Sequence, residues 1–353
     1  MKHLLSSSVL AALPASAIHD PQAIIHDSPS MINRALAITI VFAHLGMAGA
    51  EDVADLPSSP SVVPALYATG FAFAEGPALD AQGNLYVVNY RNIGTIGRIR
   101  SDGTAEIICT LDEAAPVDGR SSRANGLKID RSGRLVVADS GAGRLLRINV
   151  DSAKAEVLAD RWEGNRFQSI NDVALDLAGN IYFSDPGNSS DAEPTGAVYR
   201  YDIVTKKTQQ LETKLAYPNG LAVTPDQTRL VVAESSRFRL LEYDLLPTGT
   251  VTNRRVLIEF PREDVEGLRG GDFEPDGMVF DSQSRLYVAM WTGGMINVVD
   301  IDTGQLVRQY DAGGTAATNC HFHGGFLYTT VASKEAVFRL DLGVDGFVYS
   351  EAP

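Results

Sequence analysis

Six oxygen-bearing side chains recur along the chain at intervals of 50, 46, 48, 57 and 43 residues: Glu75, Asn125, Asn171, Asn219, Asp276 and Asn319. Two are carboxylates and four are carboxamides, so a site that gathered them would carry charge −2 and only hard oxygen donors. Ca2+ prefers such donors, taking about 6–8 oxygens at about 2.3–2.6 Å. Zn2+, Mn2+ or Mg2+ could occupy a similar oxygen site. A cation held there would act as a Lewis acid on a carbonyl or phosphoryl oxygen and position a water for attack. Asp276 is the candidate general base, because a carboxylate beside the metal can orient and deprotonate that water. Its alternative role is ligand alone, since metal binding depresses its basicity. The competing reading is local. Asn-Gly and Asp-Gly are turn dipeptides, and Asn125, Asn219 and Asp276 each precede glycine. Turn chemistry does not explain why a polar residue holds one phase throughout the chain, nor why Glu75 is among them.

The elements that carry these landmarks repeat with them. The first copy is an apolar run at 75–80, a turn at 81–84, a second run at 85–88 and a third near 96–99. Corresponding triplets are 125–130, 135–138 and 145–148; 171–176, 181–184 and 197–201; 219–223, 230–233 and 240–243; 276–280, 286–289 and 296–299; and 319–322, 326–329 and 336–340. Period-2 alternation between Gly/Asp turns, at a spacing near 48 residues, is the pattern of propeller blades. One such sheet cannot bury both faces, whereas six arranged radially bury each against the next. The expectation is an all-β chain, a six-bladed β-propeller over 65–353. Its ring would close by pairing residues 62–67, or 347–349, with the last blade. Innermost strands line a propeller's channel, so the landmarks would converge on one mouth of it.

Composition removes several alternatives. The net charge of −14 argues against a nucleic-acid partner, which needs clustered Lys and Arg. Two cysteines cannot build a disulfide framework. Cys109 and Cys320 fall in different units and are expected to be free thiols. Four of the six histidines lie in the first 50 residues, leaving His321 and His323, and no G-x-S-x-G elbow accompanies them. Residues 1–50 read as targeting sequence twice over. The better version starts at Met31, with Arg34, an apolar run at 35–43 and Ala48-Gly49-Ala50 before Glu51. The run is too short for a membrane span. Export to the periplasm or medium is expected, with a linker over 51–64 and a true start at Met31.

Ala74-Glu-Gly-Pro77, Ile170-Asn-Asp172, Pro218-Asn-Gly-Leu221, Pro275-Asp-Gly-Met278 and Thr318-Asn-Cys320 follow one another in order. Together they resemble the senescence marker protein/gluconolactonase/luciferin-regenerating-enzyme-like family, propeller hydrolases related to regucalcin and diisopropyl fluorophosphatase. The resemblance runs over about residues 65–342. It implies a catalytic Ca2+ held by Glu75, Asn171, Asn219 and Asp276, with Arg123 and Asn125 contacting substrate. His321 falls where the fluorophosphatase has a channel histidine, which makes it an alternative base or a wall residue. The implied activity is opening of a sugar or related lactone, a small-molecule substrate, to its hydroxy acid. Phosphotriester or fluorophosphate hydrolysis and non-catalytic binding by the propeller are the alternatives.

Overall fold

The computed structural model describes residues 55–349 apart from 93 and 266. The targeting segment expected over 1–50, and Met31 within it, lie outside the described residues. The alternating runs form six four-stranded antiparallel sheets. Their innermost strands are Ala74–Leu79, Ala124–Ile129, Val173–Leu175, Pro218–Val223, Glu274–Phe280 and Ala317–His323, which define blades 1 to 6. Each inner strand packs against those of its two neighbouring blades, and blade 6 meets blade 1, so the sheets close a six-bladed β-propeller. Closure uses the first of the two expected stretches. Ala65–Thr69 pairs antiparallel with Ala336–Asp341 as the outermost strand of blade 6. The other stretch does something else. Phe347 N–H donates to Phe280 O at 3.0 Å, and the Tyr349 hydroxyl donates to Val223 O. The tail therefore runs across the far ends of the inner strands, opposite the landmarks.

A local device sets the turn after most inner strands. Asp80, Asp130 and Asp281 accept backbone N–H bonds from the residues two and four positions on, at 2.8–3.1 Å. Gly83 and Gly133 take the left-handed residue this turn requires, with φ of 78° and 72°. In blade 3 Asp176 accepts Asn180 N–H at 2.8 Å in the same way, and in blades 1, 3 and 5 a second-strand tyrosine (Tyr86, Tyr182, Tyr287) donates its hydroxyl to the turn aspartate (Asp80, Asp176, Asp281) at 3.2 Å. The core lies between blades. Within the stretch 51–64 expected as a linker, Leu56 and Val62 are buried with Tyr287 and Phe322, while Val63 stays exposed. Asp55 pairs with Arg285 at 2.8 Å, and Tyr310 donates to Pro57 O at 2.9 Å. Cys109 and Cys320 are both buried and free. No helix among the described residues is long and apolar enough to cross a membrane.

The glycines after the landmarks are explained by space. A Cβ on Gly220 would lie 2.1 Å from Asp276 O, and one on Gly126 would lie 2.1 Å from Asp172 Oδ1 and 2.6 Å from its Cα. Neither has positive φ, and both sit inside strands, so they are not turn glycines. They are the points where adjacent inner strands crowd together near the axis. Gly220→Ala is expected to destabilise the protein by about 1–3 kcal/mol, the cost of overpacking a close-packed contact. A urea midpoint indistinguishable from wild type would refute this.

Candidate functional site

Two backbone features aim the landmarks. In five blades the pairing of inner and second strands slips beside the landmark, between Glu75 and Ala78, Ala124 and Leu127, Pro218 and Leu221, Pro275 and Met278, and Ala317 and Asn319. Such bulges bend a strand and redirect its side chains. In blades 1 to 4 the loop before the inner strand is then tied to the end of the second strand. Asn89 accepts Ala72 N–H at 3.2 Å, Asp139 accepts Arg123 N–H at 2.8 Å, and Glu234 accepts Ala216 N–H at 2.9 Å. Asp185 takes two, from Gln168 and Ser169, at 2.9 and 2.8 Å. Asp139 is held in turn by buried Arg144 at 2.8 Å, and Glu234 by Arg239 at 2.7 Å. These acids are anchors for the landmark loops, and their charges are consumed in that work.

The result is one cavity of about 270 Å³ at the channel mouth, lined by Glu75, Asn125, Asn171, Asn219 and Asp276. Aromatic residues Phe73, Tyr90, Tyr217 and Trp291 form its wall, with Ser235, Ser236 and Glu274 beside them. Glu75 and Asp276 are only 6% and 7% exposed. Burial, then the neighbouring charge of Asp172, pushes the Glu75 carboxyl up to about 8. Burial, then Glu75, Asp172 and Glu274, raises Asp276 well above the ordinary carboxylate range. The carboxamide oxygens of Asn125 and Asn219 are buried with no hydrogen-bond partner. Two carboxylates crowded in low dielectric and two orphaned oxygen acceptors are costly unless a cation joins them. The donor set fits a hard divalent cation. Tyr217, whose phenol is pushed up to about 12 by burial and by Asp276, stays protonated beside them.

Other sequence candidates land elsewhere. Asn319 does not line the cavity. Its amide donates to Asp172 Oδ2 at 3.3 Å and its oxygen accepts Cys320 N–H at 2.9 Å, so the sixth landmark braces the third blade. His321 is also outside the lining. Burial, then Lys128 and His323, drive its pKa down to about 3, and its Nδ1 has no partner, so it is a neutral imidazole. Arg123 is exposed, with its guanidinium 5.0 Å from the centre of the Tyr90 ring, so it reaches the cavity only through that wall. Apart from these side chains, the loop 186–195 adds nothing to the lining, although its Ser189 Oγ accepts Tyr217 N–H at 2.8 Å.

Residues 73–333 match the model of the SMP-30/Gluconolactonase/LRE-like region. The chain belongs to this family. It is 29% identical over 236 residues to a gluconolactonase of Zymomonas mobilis, a match covering 63% of this chain and 65% of that protein. It is 30% identical over 290 residues to the diisopropyl-fluorophosphatase of Loligo vulgaris, covering 76% and 88%. Among solved structures, a luciferin-regenerating enzyme shares the fold with a TM-score of 0.68 at 23% identity, over 81% of this chain and 98% of that one.

In this family member the aromatic wall escaped the sequence reading. Phe73, Arg123, Tyr217 and Glu274 each stand two residues before a landmark, while Tyr90, Ser235, Ser236 and Trp291 follow or end second strands. The signal was therefore a second phase in the same repeat. It is hidden because that phase mixes aromatic, basic and acidic side chains, whereas the landmark phase keeps one chemistry.

Proposed function

We propose that the chain is a calcium-dependent lactonase that opens a sugar or related lactone to its hydroxy acid. The observation that carries this is the pair of buried, crowded carboxylates, Glu75 and Asp276, beside the orphaned oxygens of Asn125 and Asn219 in one cavity. Glu75, Asn171, Asn219 and Asp276 would hold the cation, and the oxygen-only donor set favours Ca2+ over softer metals. Bound there, Ca2+ supplies Lewis acidity toward the lactone carbonyl. Asp276 takes a proton from the attacking water at a carboxylate oxygen, a role its place among the cavity-lining side chains allows. Asn125 offers its free oxygen to a substrate hydroxyl, and the aromatic wall keeps bulk water from the reacting centre. The substrate class is taken from the gluconolactonase relative.

Phosphotriester or fluorophosphate hydrolysis is the second reading, favoured by the match that spans 88% of the diisopropyl-fluorophosphatase. The same cation would polarise P=O. A panel of aldonolactones, simple lactones and phosphotriesters, assayed with and without chelator, separates the readings. Chelator-sensitive turnover of lactones alone is expected, and turnover indifferent to chelator would sink the metal. Asn125→Ala is expected to raise KM for glucono-δ-lactone about tenfold with little change in kcat, as loss of one buried polar contact does. A change confined to kcat would move Asn125 from substrate to chemistry. We also propose that the protein acts outside the cytoplasm. N-terminal sequencing of the secreted or periplasmic form should begin near Glu51.

A further inference from the structure

Two aromatic residues break regular backbone at the cavity wall. Phe73 and Tyr217 have φ of 58° and 56°, a region that bulky side chains avoid unless their surroundings hold them there. Each stands two residues before a landmark, Phe73 before Glu75 and Tyr217 before Asn219. They belong to blades 1 and 4, which face each other across a ring of six, and both line the cavity.

The Tyr217 peptide is pinned on both sides. Its N–H donates to Ser189 Oγ at 2.8 Å, and its carbonyl accepts Ser235 N–H at 3.1 Å. Phe73 instead joins an apolar wall, its ring 5.2 Å from that of Tyr90 and 5.4 Å from that of Trp291. The two positions thus differ in one respect that matters to a ligand. Tyr217 carries a hydroxyl, and that hydroxyl has no hydrogen-bond partner among the described residues. Nearby Ser235 does not duplicate it, because its Oγ is already committed to Pro275 O at 2.6 Å. The orphaned oxygens of Asn125 and Asn219 and the carboxylates of Glu75 and Asp276 are acceptors; among the other donors of the lining, the Tyr90 hydroxyl sits on a ring packed between Phe73 and Arg123, whereas the Tyr217 phenol lies in the field of Asp276 and Glu75. An ester group also presents only acceptors, its carbonyl and its bridging oxygen. A cation can serve one of them, and the other needs a donor.

We propose that Tyr217 is a substrate-binding residue whose hydroxyl donates a hydrogen bond to an ester oxygen of a cyclic substrate, while the apolar face of that ring rests on the Phe73 wall. The assignment rests on the lactonase reading and adds to it a substrate with one apolar face and an acceptor on the opposite edge. The strained backbone at both positions is retained because it turns these two side chains toward the ligand.

Tyr217→Phe tests this, since it removes one oxygen and keeps ring and backbone. With glucono-δ-lactone and saturating Ca2+, kcat/KM should fall about tenfold or more. Calcium affinity by calorimetry and the Tm should stay at wild-type values. Hydrolysis at the wild-type rate would overturn the assignment while leaving the lactonase reading intact. If the wild-type protein hydrolyses no lactone, that reading fails by itself. Tyr217 is then judged on calorimetric binding of δ-valerolactam, a cyclic amide with the same carbonyl. Weaker binding to Tyr217→Phe supports the donor role. Equal affinity, or no binding to wild type, overturns it.

Discussion

Asp276→Asn is expected to weaken Ca2+ binding severely and to lower lactone turnover by about 10²-fold or more, without loss of fold. The side chain is 7% exposed, lines the same cavity as Glu75, and has its ionised form disfavoured by burial and by three other carboxylates. Only a cation, or a proton, reconciles those charges. The amide keeps the shape and a carbonyl oxygen but removes half of the charge that Glu75 and Asp276 together offer. It also removes the one proposed base. Fold should survive, because stability resides in apolar clusters between blades, none of which includes Asp276. The metal-free variant should even melt slightly higher than wild type, having lost an unfavourable charge. Calorimetry with Ca2+ and lactone hydrolysis on the purified variant check both halves. Wild-type affinity together with wild-type turnover would place the active site somewhere other than this cavity.

The fold was legible because its information is local and repeated. Each alternating run, each Asp-led turn such as 80–84 or 130–134, and the spacing between copies can be read without knowing what packs on what. The convergence of Glu75, Asn125, Asn171, Asn219 and Asp276 was legible for the same reason, since start-of-inner-strand is a position that sequence phase reports. Depth along the axis was not. Asn319 shares the phase but braces Asp172 beneath the cavity, because bulges differ between blades and the inner strand of blade 3 starts only at Val173. His321 looked available as a base, and only the packing around it shows a neutral, half-buried ring with an unpartnered Nδ1, outside the lining. The glycines after the landmarks invited a turn reading, and the true cause, a neighbouring strand 2.1 Å from the missing Cβ, is a tertiary fact. Of the two stretches that could close the ring, both were apolar and of strand length, so their order had to come from the register of Ala65–Thr69 on Ala336–Asp341.

The metal-free protein should lose stability as pH rises from about 5 to about 9, and saturating Ca2+ should abolish that loss. In the folded chain the Glu75 carboxyl keeps its proton up to about 8, far above the ordinary glutamate value of 4.5, and Asp276 is shifted in the same direction. Between those limits the folded state binds more protons than the unfolded state, and stability then declines with increasing pH. The decline begins near the unfolded value and ends above the folded one. Its cause is burial of mutually repelling carboxylates that Gly76 N–H, bonded to Glu75 Oε2 at 3.1 Å, relieves only in part. A divalent cation reverses the balance, because it binds the ionised form and stabilises the folded state by mass action. Ca2+ affinity should therefore climb with pH up to about 8, with protons released on binding below that value. Differential scanning calorimetry across this range, with chelator and with Ca2+, reads the first effect, and titration calorimetry in buffers of different ionisation enthalpy reads the second. Glu75→Gln should flatten the metal-free profile and weaken the response to Ca2+. A metal-free Tm that stays constant from pH 5 to 9 would mean that Glu75 and Asp276 do not confront each other unrelieved, and the case for a cation between them would fall with it.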